Sequence, residues 1–338
     1  MQFEDNVELK MLNTFGVNAK ARFYSELHAK DDLKQIATII DDNPKPLLFL
    51  GGGSNVLFTQ DFDGYVVQVV SKGIRIVSES ENECFVEATA GEVWDDLVRF
   101  CIHHNLYGLE NLSGIPGTVG SSPIQNIGAY GVEVKECIHQ VNAVRLDDFE
   151  ELQLMNKDCL FGYRDSIFKG ALKGKIFIDS VVFCLSKIAH FTLNYGCIAD
   201  EIKRISPNIT DLKAVSNAIV NIRNSKIPDP KLIGSAGSFF KNPMVDCHKL
   251  NQLISEFPNL IYYKITEQSF KLAAAWLIEQ CGWKGFRKGN FGVNQLQPLI
   301  LVNYGDASGQ DILHLSHQMQ QSVFTKFGIE LHPEVNIL

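Results

Sequence analysis

Two spacings of hydrophobic residues alternate along this chain, and they predict its elements. Helical spacing appears first over residues 31–40, with Leu33, Ile36, Ile39 and Ile40 recurring on one face. The run 46–50 is short and mostly apolar, as a buried strand is. Residues 65–70, 74–77 and 84–88 read as further strands, rich in Val and Ile. Residues 93–104 return to the helical period, with Trp94, Leu97, Val98 and Cys101 together. Strands follow at 141–146, 151–154 and 175–185, then a helix at 211–224. From 225 the texture changes. Ser225-Lys-Ile-Pro-Asp-Pro-Lys231 is an irregular entry. Beyond it the pattern predicts helices at 247–256 and 268–282, a strand at 298–303, a long helix over 306–327 and a final strand over 328–338.

Two glycine-rich stretches interrupt these periods. Five glycines and two prolines fall within residues 114–133, with no charge before Glu133. Such a stretch cannot sustain a long amphipathic helix. Ile115, Val119, Ile124, Ile127 and Tyr130 give it too much to bury for a disordered linker. A chain of tight turns is one reading. The other is a surface of backbone N–H groups and short hydroxyls on which an anion or a ring can rest, because glycine holds nothing away. The second stretch, Gly51-Gly-Gly-Ser-Asn55, leaves the end of a buried strand, where ligands bind in many folds. It lacks the G-x-G-x-x-G dinucleotide fingerprint, and the chain contains no Walker A sequence.

Composition narrows the partners. At 338 residues the chain is long enough for two or three domains. Its net charge of −8 and lack of a long basic run argue against a nucleic-acid surface. No apolar run is long enough for a membrane span, and the opening Met-Gln-Phe-Glu-Asp lacks the apolar core of a signal peptide. None of the eight cysteines lies within ten residues of another, so metal-type spacing is missing. Free, largely buried thiols in a reducing cytoplasm are the expectation.

Four constellations carry candidate chemistry. In Phe161-Gly-Tyr-Arg-Asp-Ser-Ile-Phe168, Arg164 offers a planar fork for a carboxylate or enolate oxygen, or simply a surface pair with Asp165. Ser238, between Gly237 and two phenylalanines, is a proton-donor candidate or a turn serine; it is not in a hydrolase elbow. Glu334 follows a proline near the end of the sequence, with Glu330 as a rival. Tyr195, Lys226, Asn242 and Gln297 are polar residues of the kind that hold an anionic, sugar-like ligand.

Taken together these residues resemble the UDP-N-acetylenolpyruvoylglucosamine reductases, flavoenzymes of peptidoglycan precursor synthesis. The resemblance runs through Asn13-Thr-Phe-Gly16, GGGSNVLF at 51–58, IPGTVGSSPIQNIGAYGVE at 115–133, FGYRDSIFK at 161–169, SKIPDPK at 225–231, GSFFKNP at 237–243 and PEV at 333–335. The Tyr195 segment is similar to the type I group, which carries an extra tyrosine loop over the substrate. The resemblance implies an α+β fold: an FAD-binding domain of the vanillyl-alcohol-oxidase type in two subdomains, then a substrate-binding domain. It places the boundaries at 1–65 (joined by the final strand, 329–338), 66–222 and 223–328. It assigns FAD to Gly51, Gly52, Gly53, Ser54, Asn55, Gly114, Pro116, Gly117, Gly120, Ser121, Ser122, Gln125, Asn126 and Gly128. It makes Ser238 the proton donor, with Arg164 and Glu334 polarising the enolpyruvyl carboxylate. Tyr195, Lys226, Asn242 and Gln297 would hold UDP-N-acetylglucosamine enolpyruvate, and NADPH would be the reductant. A cytoplasmic monomer is the expectation. The alternative is an FAD-dependent oxidase of an alcohol or sugar on the same flavin fold. One departure is Asn294, where many relatives have histidine.

Overall fold

The computed structural model describes residues 2–207 and 210–338. The chain divides into two compact units. The first comprises the stretch ending at Val7, Ala21–Gly52 and Asp63–Ser225; the second comprises Glu8–Lys20, Gly53–Phe62 and Lys226–Leu338.

Two sheets build the first unit. One has four strands in the order Glu4–Glu8, Lys20–Leu27, Phe62–Val69, Leu47–Leu50, with the last two parallel and Leu50 opposite Gln68. The other has five strands in the order Glu151–Met155, Ile138–Arg145, Ile176–Ser186, Glu83–Thr89, Ile74–Glu79, each neighbour antiparallel. A shared core joins them: Leu27, Val67 and Val69 of the first sheet pack with Val144 and Phe177 of the second and with Leu33 and Ile36 of helix Asp32–Asp42.

The larger core lies between the five-stranded sheet and helix Trp94–His103. Val119, Ile127 and Val132 of the glycine-rich stretch belong to it, which is why that stretch is ordered. Trp94 is its largest fully buried side chain, edge-on to Phe183 with its indole N–H donating to Leu112 O at 2.9 Å. Trp94→Ala is expected to cost about 3–5 kcal/mol of stability, because it opens a cavity and orphans a buried carbonyl. Urea denaturation followed by far-UV circular dichroism measures this; a midpoint unchanged from wild type would contradict it.

The second unit holds two three-stranded sheets, ordered Met244–Asp246, Ser269–Leu272, Tyr262–Lys264 and Arg287–Lys288, Phe291–Val293, Leu301–Asn303. Helix Gly309–Phe327 packs with the second of these. Its start is fixed by a reciprocal cap between Ser308 and Asp311, and its end by Gly328 in the left-handed conformation.

Three expectations are corrected. Residues 268–282 are not one helix: Ser269–Leu272 is the central strand of a sheet, paired on both sides, and the helix is Ala274–Gln280. Pairing on both edges overrides the helical spacing there. The strand expected at 298–303 begins only at Leu301, because Ile300 N turns back to Gln297 O. The final strand shrinks to Asn336–Ile337, parallel to Val56–Leu57, because Gly328 and Pro333 interrupt the run before it. A helix at Ile198–Ile205 was not anticipated. Among the described residues no helix is long and apolar enough to cross a membrane, and the cysteines are free thiols.

Candidate functional site

The glycine-rich stretch is laid along the start of helix Trp94–His103. Trp94 N donates to Gly117 O at 3.0 Å, Val119 N to Glu92 O at 2.9 Å, and Gly120 N to Ala90 O at 2.9 Å. Against this ribbon comes the end of strand Leu47–Leu50. A Cβ on Gly51 would overlap Thr118 Oγ1, and one on Gly52 would stand 3.1 Å from Gly117 Cα. The two glycine runs therefore meet backbone to backbone, and side chains on either would force them apart. Gly52 and Pro116 are exposed there, while Gly51, Gly114 and Gly117 are half-buried. The cradle is thus open at its surface and closed beneath. Gly53, Ser54 and Asn55 belong to the second unit, where Asn55 Nδ2 donates to Glu334 O at 3.3 Å.

Several of the expected cofactor residues serve this ribbon from within. Ser122 and Asn126 have no exposed surface. The Ser122 hydroxyl donates to Val119 O and that of Ser121 to Thr118 O, both at 2.7 Å. Asn126 Nδ2 donates to Glu133 and to Gly162 O, and its Oδ1 accepts from Lys135 N. A Cβ on Gly120 would stand 2.5 Å from Ala90 Cβ. These residues fix the shape of the stretch through side-chain bonds and packing. Gln125 lies half-buried beside them.

Arg164 sits at the tip of a two-residue turn closed by Gly162 N donating to Asp165 O at 2.9 Å. Its φ of 52° is left-handed, an uncommon conformation for a long side chain. The turn aims the guanidinium at the glycine-rich stretch, where it donates to Gly128 O at 2.5 Å and Asn126 O at 3.4 Å. Gly128 is needed for this approach, since a Cβ would stand 2.9 Å from Arg164 Nη1. These backbone carbonyls help to hold the charge in place.

Further groups that the sequence did not single out border the stretch. Asp95 accepts from Gly114 N at 2.7 Å, and Arg223 Nε donates to Gly114 O at 3.2 Å. Burial pushes the Arg223 guanidinium below its ordinary pKa, while Tyr130 and Asp95 pull it back. At the end of a helix, Arg223 reads in sequence as a cation facing the helix dipole, so nothing marked it out. Asn111 donates to Tyr130 O at 3.0 Å and Thr192 O at 2.8 Å. Tyr195, half-exposed, stands edge-on to Tyr130 with ring centroids 6.2 Å apart.

In the second unit the segment 237–243 runs antiparallel to 332–334. Phe240 bridges Pro333, Glu334 N donates to Phe239 O at 2.7 Å, and Lys241 N to His332 O at 2.9 Å. Phe239 and Phe240 are buried, so the exposed Ser238 is carried on a fixed backbone beside Glu334. The structure thus brings together two residues separated by most of this unit's sequence. Asn242 Oδ1 accepts from Ala274 N at 2.9 Å, which leaves its NH2 group to face elsewhere. Asn294 Oδ1 accepts from Leu296 N and Gln297 N, so Asn294 is a turn former that holds Gln297. Lys226 is exposed at the start of this unit's longest segment.

A family model described as UDP-N-acetylenolpyruvoylglucosamine reductase, C-terminal domain, matches residues 229–338, and one described as FAD binding domain matches residues 21–148. A UDP-N-acetylenolpyruvoylglucosamine reductase of Flavobacterium johnsoniae is 44% identical over 340 residues, covering 100% of both chains. One of Neisseria gonorrhoeae is 46% identical over 334 residues, covering 98% of this chain and 96% of the relative. Among solved structures, a UDP-N-acetylenolpyruvylglucosamine reductase from Thermus caldophilus aligns with a TM-score of 0.70 at 22% identity, over 100% of this chain and 99% of that one, a likeness of fold.

Proposed function

The chain belongs to the UDP-N-acetylenolpyruvoylglucosamine reductase family, and we infer that it reduces UDP-N-acetylglucosamine enolpyruvate to UDP-N-acetylmuramate with NADPH and FAD, a step in making peptidoglycan precursors. The observation that carries this reading, beside the full-length likeness, is the meeting of the two glycine runs at Gly51–Gly52 and Gly117–Thr118. A Cβ on either run would force the two apart, and their close packing leaves the exposed Gly52 and Pro116 on a backbone surface of the kind a flavin can rest on. Gly51, Gly52, Gly114, Pro116 and Gly117 would touch FAD through this surface; Ser121, Ser122, Gln125, Asn126, Gly120 and Gly128 would support it. Gly53, Ser54 and Asn55 would continue the same run.

Bound FAD would supply the relay of hydride from NADPH to C3 of the enolpyruvyl ether. The protein's own residues manage the charge and the proton. Negative charge then develops from C2 onto the carboxylate. Arg164 supplies a fixed positive charge for it, already oriented before substrate arrives. Glu334 helps to hold the developing enol, and Ser238 delivers the proton to C2. Tyr195, Lys226, Asn242 and Gln297 hold the UDP-sugar. The domain division that accompanies this reading is 1–65 with 329–338, 66–222, and 223–328, in a cytoplasmic monomer.

Gly52→Val is expected to give folded protein that loses its yellow colour on purification, with FAD affinity reduced at least about tenfold. Titration of apoprotein with FAD, followed by flavin fluorescence, measures this; wild-type affinity would remove Gly52 from the cradle. The decisive test of the whole reading is the visible spectrum without oxygen. NADPH should bleach the flavin, and UDP-N-acetylglucosamine enolpyruvate should restore it. An oxidase would instead be reoxidised rapidly by oxygen alone, with no need for the enolpyruvyl sugar.

A further inference from the structure

We propose that Asn111 is a positioning residue: its side chain latches the segment carrying Tyr195 onto the glycine-rich stretch, and so sets affinity for the UDP-sugar without touching it. The proposal rests on the reading of Tyr195 as a substrate contact.

Between strand Ile176–Ser186 and helix Ile198–Ile205 the chain has no regular hydrogen-bonded structure of its own. Its position depends on what it leans against. Phe191 is edge-on to Tyr107, with centroids 5.6 Å apart. Phe191 and Leu193 pack on the cluster formed by Ile198, Ile202, Val215 and Ile219. Those contacts are non-directional and would tolerate sliding. Asn111 supplies direction. It is 1% exposed, in a short turn whose next residue, Leu112, is fully buried. Its amide group donates simultaneously to Tyr130 O and Thr192 O. Both partners are carbonyls, so only the NH2 end can face them, and the side chain has one satisfactory orientation. Its Oδ1 is buried with no hydrogen-bond partner among the described residues. The residue therefore leaves an acceptor unmet while both donors are engaged, so its contribution lies on the donor side.

The two carbonyls it joins flank the tyrosines. Tyr130 is in the left-handed conformation, with φ of 52°, so its carbonyl direction is a special backbone choice. A Cβ on Gly131 would come within 3.5 Å of both Thr192 Cγ2 and Tyr195 Cβ, which shows how closely the two loops lie. One bidentate side chain thus fixes Thr192, three residues before Tyr195, to Tyr130, whose ring Tyr195 meets edge-on. Without it, Tyr195 keeps its packing but loses its register against the stretch.

The test compares Asn111→Leu, Tyr195→Ala and the double variant in steady-state and half-reaction kinetics. Asn111→Leu is expected to raise KM for UDP-N-acetylglucosamine enolpyruvate about tenfold, the scale of a lost buried hydrogen bond. The value of kcat and the rate of flavin bleaching by NADPH should stay at wild type. The double variant should be no worse than Tyr195→Ala alone, because the latch acts only through that side chain. Asn111→Ser, which keeps one donor, should show a smaller rise in KM and serves if the leucine variant does not fold. An unchanged KM in the Asn111 variants, with a raised KM in Tyr195→Ala, overturns the latch while sparing the reading of Tyr195. So do additive effects in the double variant. An unchanged KM in Tyr195→Ala overturns the reading of Tyr195 and the latch with it.

Discussion

Ser238→Ala should reduce its flavin with NADPH at the wild-type rate yet turn over roughly 10²–10⁴ times more slowly, the usual worth of a positioned general acid. The two halves of the reaction separate because the hydroxyl is asked for only after hydride has reached the substrate. The variant should fold. Phe239 and Phe240 hold the segment by burial, and its bonds to Leu299, His332 and Glu334 are made by backbone groups. Losing one exposed oxygen therefore disturbs none of the anchors that place it. Stopped-flow absorbance separates flavin bleaching by NADPH from its recovery with the enolpyruvyl sugar. Slow recovery with normal bleaching is the expected pattern. Near-normal turnover would show that the proton comes from elsewhere.

Arg164→Lys should lower kcat/KM by about 10²–10³, the scale on which one preorganised electrostatic donor counts, again with bleaching by NADPH preserved. Lysine keeps the charge and loses the fork. The guanidinium reaches Gly128 O and Asn126 O from a single planar group, whereas an ammonium on a flexible stem cannot hold the same two carbonyls in one fixed plane. The left-handed turn at Arg164 adds to the argument, since strain of that kind persists where the aim of a side chain matters. Steady-state kinetics with the enolpyruvyl sugar measures the change. A lysine variant within threefold of wild type would mean that charge alone suffices.

How much of this was legible in the sequence differs between kinds of structure. The five-stranded sheet and helix Trp94–His103 are visible in the spacing of apolar residues, because both bury one face against a common core. Ser269–Leu272 misleads, since Leu272, Trp276, Leu277 and Cys281 match one helical face that runs on from it. Only the pairing partners on either side, at 244–246 and 262–264, decide between them. The site shows the same division. Glycines advertise close approach, so the runs at 51–53 and 114–131 stand out, but the sequence cannot say which glycine faces a ligand and which faces its own protein. Gly120 against Ala90 and Gly128 against Arg164 are of the second kind. Ser122 and Asn126, which the resemblance assigns to FAD, are fully buried. Asn111 and Arg223 carried no local pattern, and only the folded backbone brings carbonyls to their donors.

The pairing of Asn336–Ile337 with Val56–Leu57 has a consequence for how the protein is made. Segments 8–20 and 53–62 bond to each other, with Thr14 N donating to Gly53 O at 3.0 Å. The rest of their unit, residues 226–338, is made only after nearly the whole first unit. Glu334 is then set by Asn55 from one side and by the Phe239 backbone from the other. Chemistry assigned to this carboxylate thus depends on two segments far from it in sequence, and a change in either would move it.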